Sequence, residues 1–336
     1  MDLNTLWFII LGALLTAYLI LDGYDLGIGV IHLFTADRKQ REQFLALVEP
    51  YWDGNEVWLI IAGGVLFAVF PGAYAALLSG FYPHFIILLM AFIIRGLALG
   101  SREAFNSASW HRFADVCLGV ASLVVLGLVG IIGAHLTRGV PADSNGIIRA
   151  DLAGSLDVPA LLAAVLAATL LAMHGSLYAA AKSQAEQQRY AETWAFGTWA
   201  ASLVLAVPAV ALNINTTAGM GAKSHPLIFA LVVALLVMSL AYIPWTLRRG
   251  GYMRAFLASS LAIALFVASA AMLLFPRLVR SGADDSHTLT IYNAAATQSA
   301  MLVTLAVIGV ALPLAVAYTV FVRVMLERSG YQRGGY

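Results

Sequence analysis

The chain has 336 residues, of which 61% are hydrophobic and only 11% are charged, and its formal net charge is +1. Soluble globular domains carry roughly 25% charged residues, so this composition excludes an ordinary soluble protein and indicates a polytopic membrane protein. The near-neutral charge gives no electrostatic basis for binding nucleic acid.

The cysteine content limits the redox chemistry of the chain. Cys117 is the only cysteine, and it lies within an apolar run. An intrachain disulfide, a Cys-x-x-Cys motif, a c-type haem attachment and a Cys-ligated iron–sulfur cluster are therefore excluded. The N-terminal region also lacks the early Lys or Arg of a cleavable signal, so we expect the first apolar segment to stay in the mature protein.

Nine apolar segments are long enough to cross the hydrocarbon core, which takes about 20 residues of helix. We therefore predict an all-α polytopic membrane protein that forms a single integral membrane domain over 1–336. The predicted helices are 5–34, 53–79, 83–105, 113–136, 158–183, 193–213, 226–247, 255–276 and 296–325. Glycines inside these helices allow close packing. We predict that neighbouring helices pack closely against two glycine pairs, Gly27 and Gly29 in the first helix and Gly63 and Gly64 in the second.

Lys and Arg residues concentrate on one side of the predicted helices. Most follow helices one, three, five and seven or lie near the C-terminus. The opposite side holds Arg138, Arg149, Lys223, Arg277 and Arg280. The positive-inside rule then places the N-terminus outside and the C-terminus in the cytoplasm.

The first two helices carry paired carboxylates. Asp22 and Asp25 lie within helix one, and Asp53 and Glu56 lie at the start of helix two. Each pair is spaced by three residues, so its members share a helix face. Charges within a membrane span are costly and therefore indicate a functional site. The alternative for Asp53 is that it caps its helix while the neighbouring tryptophans anchor the helix at the lipid interface.

The predicted orientation brings these acids to a similar depth. Asp25 lies roughly 13 Å from the inner end of helix one, and Asp53 and Glu56 lie at the cytoplasmic end of helix two. Arg95, in the inner half of helix three, can pair with one of the acids. Such a group predicts a route for protons from the cytoplasm. The alternative is a buried ion-pair network that fixes helix packing.

The histidines do not suggest a haem site. His174 is the one well inside a predicted span, whereas the others lie at helix ends or in loops. Bis-histidine haem ligation requires two histidines at matching depth on facing helices. We predict that His174 is a hydrogen-bonded core residue and that this chain binds no haem iron and no other metal. Near the outer end of the last helix, Asn293 and Thr297 suggest either a buried polar seam or simple capping.

Several motifs resemble subunit II of cytochrome bd-type quinol oxidases. The most specific are LDGYDLGIG at 21–29 and PYWDGNEVWLI at 50–60. The others are AGG at 62–64, FAVFP at 67–71, HGSLY at 174–178 with Lys182, LFP at 274–276 and LTIYNA at 289–294. The motifs are spread over nearly the whole chain.

The resemblance implies two four-helix bundles and a peripheral helix in a bacterial inner membrane. It implies pairing with subunit I, which holds two b-type haems, one d-type haem and the quinol site. The complex would oxidise quinol, reduce O₂ to water and generate a membrane potential with protons from the cytoplasm. The resemblance also allows a bound quinone or lipid in this chain and a small single-helix accessory subunit.

The resemblance gives this chain a supporting role in the reaction, with no directly catalytic residue. Its proton route is carried over onto Asp53, with Asp25 as the second candidate. Asp22 and Glu56 are further candidates on the same helix faces. Trp52 is implied near the subunit interface, and we expect Asn55 and Arg95 to support the acids.

Two other classes of function compete with this interpretation. An ion-coupled secondary transporter would use the intramembrane carboxylates for coupling, but it should also show inverted repeats and paired broken helices. No corresponding broken segments are visible in the two halves of the sequence. A purely structural membrane anchor would leave unexplained the carboxylates in the cytoplasmic half of the predicted helices.

Overall fold

The computed structural model describes residues 2–105, 107–141, 147–217, 224–282 and 285–328. Lys223, which contributes to the orientation assignment, and the C-terminal residues 329–336 lie outside this part. The helices are α1 (Leu3–Phe34), α2 (Arg38–Val48), α3 (Trp52–Val69), α4 (Pro71–Gly80), α5 (Tyr82–Ser101), α6 (Ala108–Arg138), α7 (Val158–Lys182), α8 (Ala185–Thr217), α9 (Pro226–Leu247), α10 (Tyr252–Leu274) and α11 (Gln298–Arg328). Two short antiparallel strands, β1 (Arg277–Val279) and β2 (Leu289–Thr290), form a small sheet.

Nine helices in the described ranges are long and apolar enough to cross a membrane, namely all except α2 and α4. This confirms the predicted all-α polytopic class. Helices α1, α3, α5 and α6 form one four-helix group, and α7 to α10 form the second. The two groups meet through α1, α6 and α7, and α11 lies at the periphery against α3.

The predicted helix 53–79 is wrong as a single element, because the chain breaks at Phe70. Helix α3 ends at Val69, and α4 begins at Pro71. Proline lacks a backbone N–H and disfavours helical geometry in the residue before it. Phe70 accordingly has φ −126° and ψ 61°. Pro71 then occupies the first turn of α4, where its missing N–H needs no partner.

Helix α2 lies in what the sequence indicates as an inside loop, so its helical structure was missed. The Asp37 side chain accepts a hydrogen bond from the backbone N–H of Gln40 and caps the helix. Phe44 and Val48, one turn apart, are both buried. Helix α2 is therefore a short amphipathic helix that packs against the bundle, too polar to span a membrane.

The two helix groups pack closely where α1 crosses α7. A Cβ atom on Gly175 would lie 2.6 Å from the backbone nitrogen of Ile28, and one on Gly27 would overlap the Leu171 carbonyl oxygen. A Cβ on Gly29 would overlap the Ser122 hydroxyl. The predicted contacts at Gly27 and Gly29 are thus confirmed, and at Gly27, where the neighbouring atoms are backbone, only a residue without a side chain fits.

Gly63 and Gly64 behave differently from the glycines of α1. A Cβ atom on either residue would meet nothing within 4 Å. The predicted helix contact at this pair is therefore wrong within this chain.

Candidate functional site

Three carboxyl groups surround the guanidinium group of Arg95. Its Nη2 lies 2.6 Å from Asp22 Oδ1 and 4.0 Å from Asp25 Oδ2. Its Nη1 donates a hydrogen bond to Glu56 Oε1 at 2.7 Å. The structure thus brings four of the five predicted charged residues together. We call Asp22, Asp25, Glu56 and Arg95 the carboxylate cluster.

Three helices position the cluster. Asp22 and Asp25 share one face of α1 because they are three residues apart. Glu56 lies near the start of α3, and Arg95 lies in the second half of α5. The arginine is fully buried, so its charge needs the acids of the neighbouring helices as partners.

A polar side chain on α3 extends the cluster. Asn55 Nδ2 lies 2.7 Å from Asp25 Oδ2 and also 2.7 Å from Tyr24 Oη, and it donates towards both oxygens. Arg323, near the end of α11, donates to the same tyrosine oxygen at 3.0 Å. Sequence reasoning missed Tyr24 and Arg323. The position of Tyr24 between Asp22 and Asp25 in the sequence could have indicated its role. Arg323 entered the sequence analysis only as one of the basic residues near the C-terminus that determine the predicted orientation.

Asp53 lies outside the ion pairs of Arg95. Its side chain is exposed in the isolated chain, in the first turn of α3 and one turn before Glu56. The N-cap of α3 is Tyr51, and no side-chain hydrogen bond caps the helix there. The helix-cap alternative for Asp53 is therefore wrong. Its charge still lies at the helix end that favours anions.

The carboxyl groups form a series from the surface to the interior. Asp53 is exposed, the Glu56 side chain is 19% exposed, and Asp22 and Asp25 are fully buried. If all three cluster acids were ionised beside Arg95, the cluster would carry two net negative charges. Such charge is unfavourable in a low-dielectric interior, so the arrangement favours binding a proton.

Trp52 is half-buried between two helices of the same chain. A Cβ atom on Gly96 would lie 3.3 Å from the Trp52 ring, so the indole lies directly against α5. It also packs near Ala98 and Leu99. Trp52 therefore supports the packing of α3 on α5 beside the carboxylate cluster.

A second buried acid, Asp115 on α6, was missed by sequence reasoning. Its Oδ1 accepts a hydrogen bond from Arg102 Nε at 2.9 Å and lies 3.2 Å from His32 Nε2. Arg41 Nη1 lies 3.7 Å from its other oxygen. These contacts join α1, α2, the end of α5 and α6. The matching of one acid with several basic groups indicates a structural ion-pair network.

His174 is buried with both ring nitrogens close to partners. Nδ1 lies 2.7 Å from the Ser259 hydroxyl, and Nε2 lies 3.0 Å from the Ile20 carbonyl oxygen. The ring stacks on Phe256 with the centroids 4.8 Å apart. The prediction of a hydrogen-bonded core histidine is confirmed.

Within the described ranges, no group of three or more His, Cys, Asp or Glu residues is arranged to hold a metal.

The polar residues before α11 form a turn. Asn293 Oδ1 accepts from the Thr290 backbone N–H at 2.7 Å, and Asn293 Nδ2 donates to the Thr288 carbonyl at 3.0 Å. Asn293 and Thr297 are both exposed. Thr297 Oγ1 accepts from the Ala300 backbone N–H at 3.4 Å at the start of α11, so of the two alternatives simple capping is correct and a buried polar seam is not.

Comparisons with known proteins agree with the resemblance. The sequence model of the family described as cytochrome bd terminal oxidase subunit II matches residues 3–326. Cytochrome bd ubiquinol oxidase subunit 2 of Bacillus subtilis is 28% identical over 294 residues, which cover 87% of this chain and 86% of that protein. Cytochrome bd-I ubiquinol oxidase subunit 2 of Escherichia coli K12 is 27% identical over 352 residues, covering 94% and 92% of the two chains.

The fold is also similar to a solved structure. A chain of the bd oxidase from Geobacillus thermodenitrificans superposes with a TM-score of 0.77, and the match covers 97% of this chain and 99% of that one. The sequence identity is 16%, so this likeness speaks for the fold alone.

Proposed function

The chain belongs to the cytochrome bd terminal oxidase subunit II family, and from this premise we propose that it carries protons from the cytoplasm into a quinol oxidase complex. Membership of such a complex follows from the family and replaces the transporter alternative. The nine apolar helices of the described ranges, together with the family, indicate a multi-pass bacterial membrane protein.

The observation that carries the proposal is the graded burial of the carboxyl groups. Asp53 is exposed and takes up a proton at modest cost. Glu56 follows one helical turn later and is hydrogen-bonded to Arg95. Asp22 and Asp25 lie on the other side of that guanidinium, fully buried. Proton transfer across a membrane interior requires such a chain of ionisable groups, with water between those that do not touch.

Arg95 and Asn55 give the cluster its geometry. The guanidinium lies between Glu56 and the two acids of α1, so it holds them near one another without neutralising all of them. The Asn55 amide fixes one oxygen of Asp25. These contacts orient the acids and leave capacity for an exchangeable proton.

The proposal assigns the haems to the partner. Within the described ranges, His174, the histidine deepest inside a predicted span, does not fit a haem iron, because both of its ring nitrogens have partners. The two b-type haems, the d-type haem and the quinol site therefore belong to subunit I, which oxidises quinol and reduces O₂. This chain contributes proton supply and structural support for subunit I.

Isolation of the complex tests the assignment of the haems. We expect a tagged form of this chain, purified in detergent from cells that also make subunit I, to carry the absorption bands of b-type and d-type haems. The same chain expressed without subunit I should be colourless. Haem retained at full stoichiometry by the chain alone would overturn the assignment.

A topology reporter tests the side of proton uptake. The concentration of Lys and Arg on one side predicts that a reporter fused after Tyr336 lies in the cytoplasm. We expect a fused fluorescent protein to be active there and a fused alkaline phosphatase to be inactive. The reverse result would place Asp53 at the outer surface and contradict uptake from the cytoplasm.

A further inference from the structure

Helix α11 is the most exposed of the apolar helices in the described ranges. Only 6% of the most apolar stretch of α11 is buried, and the helix packs against α3. Most side chains along it, including Val310 and Phe321, are exposed. Near its C-terminal end, however, the cationic side chain of Arg323 turns towards the carboxylate cluster. The helix with the least buried surface thus places a charge beside the carboxylate cluster.

Arg323 is held by two aromatic residues. Its Nη2 donates to Tyr24 Oη at 3.0 Å. Its Cζ lies 5.8 Å from the centroid of the Tyr24 ring and 5.7 Å from that of the Tyr51 ring. Aromatic faces attract a guanidinium at such distances. The charge is therefore fixed beside α1 and the start of α3.

A short chain of hydrogen bonds connects Arg323 with Asp25. Tyr24 Oη accepts from Arg323 and from Asn55, and the same Asn55 amide donates to Asp25. The Tyr24 ring is itself fixed, because it stacks on Tyr178 with the centroids 4.1 Å apart. A positive charge two residues away along such a chain favours the ionised form of Asp25, because that carboxyl is itself buried away from water.

We propose that Arg323 is a positioning residue that controls the protonation of Asp25 through Tyr24 and Asn55, so that proton supply depends on the docking of α11. Arg323 is then the second cation of the site, and together with Arg95 it faces three buried or half-buried acids. The inference rests on the proposed proton route. The titratable and charged groups around Arg323 and Asp25 are Asp22 and Tyr24 on α1, Tyr51, Asp53 and Glu56 at the start of α3, Arg95 on α5 and Tyr178 on α7.

The first test is the pH profile of oxygen consumption by the intact complex. Removing the cation in Arg323→Met favours the protonated carboxyl, so we expect the profile to move to higher pH by about one unit, equivalent to about 1.4 kcal/mol. Arg323→Lys keeps the charge and should restore most of the parental profile. The matched control is Arg249→Met, which removes a cation lying 3.9 Å above the Trp245 ring, away from the cluster, and should leave the profile unchanged.

The second test does not require turnover. In the purified complex, the infrared carbonyl band of protonated Asp25, identified by its loss in Asp25→Asn, should titrate at higher pH in Arg323→Met. If this band shifts while Asp53→Asn turns over normally, the proton route fails and the control of Asp25 by Arg323 stands. Should Arg323→Met fail to assemble, Tyr24→Phe carries the same test, because it removes the linking hydroxyl and keeps the ring.

Two results would overturn the inference. One is an unshifted band and an unshifted profile in Arg323→Met, or in Tyr24→Phe where that variant replaces it. The other is an Arg323→Lys variant that is as strongly shifted as Arg323→Met, which would mean that the shape of the guanidinium matters and its charge does not.

Discussion

Asp53→Asn should slow quinol-driven oxygen uptake by tenfold or more, which is equivalent to about 1.4 kcal/mol on the barrier. The amide has nearly the same shape as the carboxyl but cannot pass on a proton. Asp53 is exposed and does not cap α3, so the substitution should leave the fold and the partner's haems intact. The measurement is oxygen consumption by the purified complex, with haem content determined in the same sample.

Two variants make the Asp53 experiment specific. Asp53→Glu keeps a carboxyl at the position and should retain most of the turnover. Glu42→Gln neutralises another exposed carboxylate, which pairs with Arg38 on the surface of α2, and should have no effect. Near-normal turnover in Asp53→Asn with intact haems would remove Asp53 from the route.

Arg95→Met should destabilise the chain by about 3–5 kcal/mol and prevent most of the complex from assembling. The arginine is fully buried, and its removal leaves Asp22, Asp25 and Glu56 close together without the one cation that contacts all three. Methionine fills a similar volume, so the effect comes from uncompensated charge rather than from a cavity. We would measure the yield of assembled complex and the midpoint of its thermal unfolding.

The control and the rescue separate charge from packing. Arg38→Met removes an arginine from an ion pair with Glu42 in which the two side chains are 60% and 43% exposed, and should cost about 1 kcal/mol or less. Adding Asp22→Asn to Arg95→Met removes one unpaired carboxylate and should recover part of the stability. Unchanged yield and unfolding midpoint in Arg95→Met would show that the cluster contributes no stability.

The class of the protein and its spanning helices were available from the sequence. A backbone in lipid must satisfy its hydrogen bonds internally, so an apolar segment of sufficient length can be interpreted as a helix without knowledge of its neighbours. The same local rule placed Asp22 with Asp25 on one face of α1. Helix α2 was not predicted, because its amphipathic pattern is too short and too polar to resemble a membrane span. The break at Phe70 was not predicted, because the apolar run continues past Pro71.

Only the tertiary structure decided which polar groups meet. Sequence spacing relates residues within one helix, whereas the contacts of Arg95 with Glu56 and of Arg323 with Tyr24 join residues 39 and 299 positions apart. The same holds for the glycines, since Gly27 is closely packed and Gly63 has open space around it in this chain. Both have the same local character, and the difference arises from which helix lies opposite, because the position of each helix is determined by the packing of all the others.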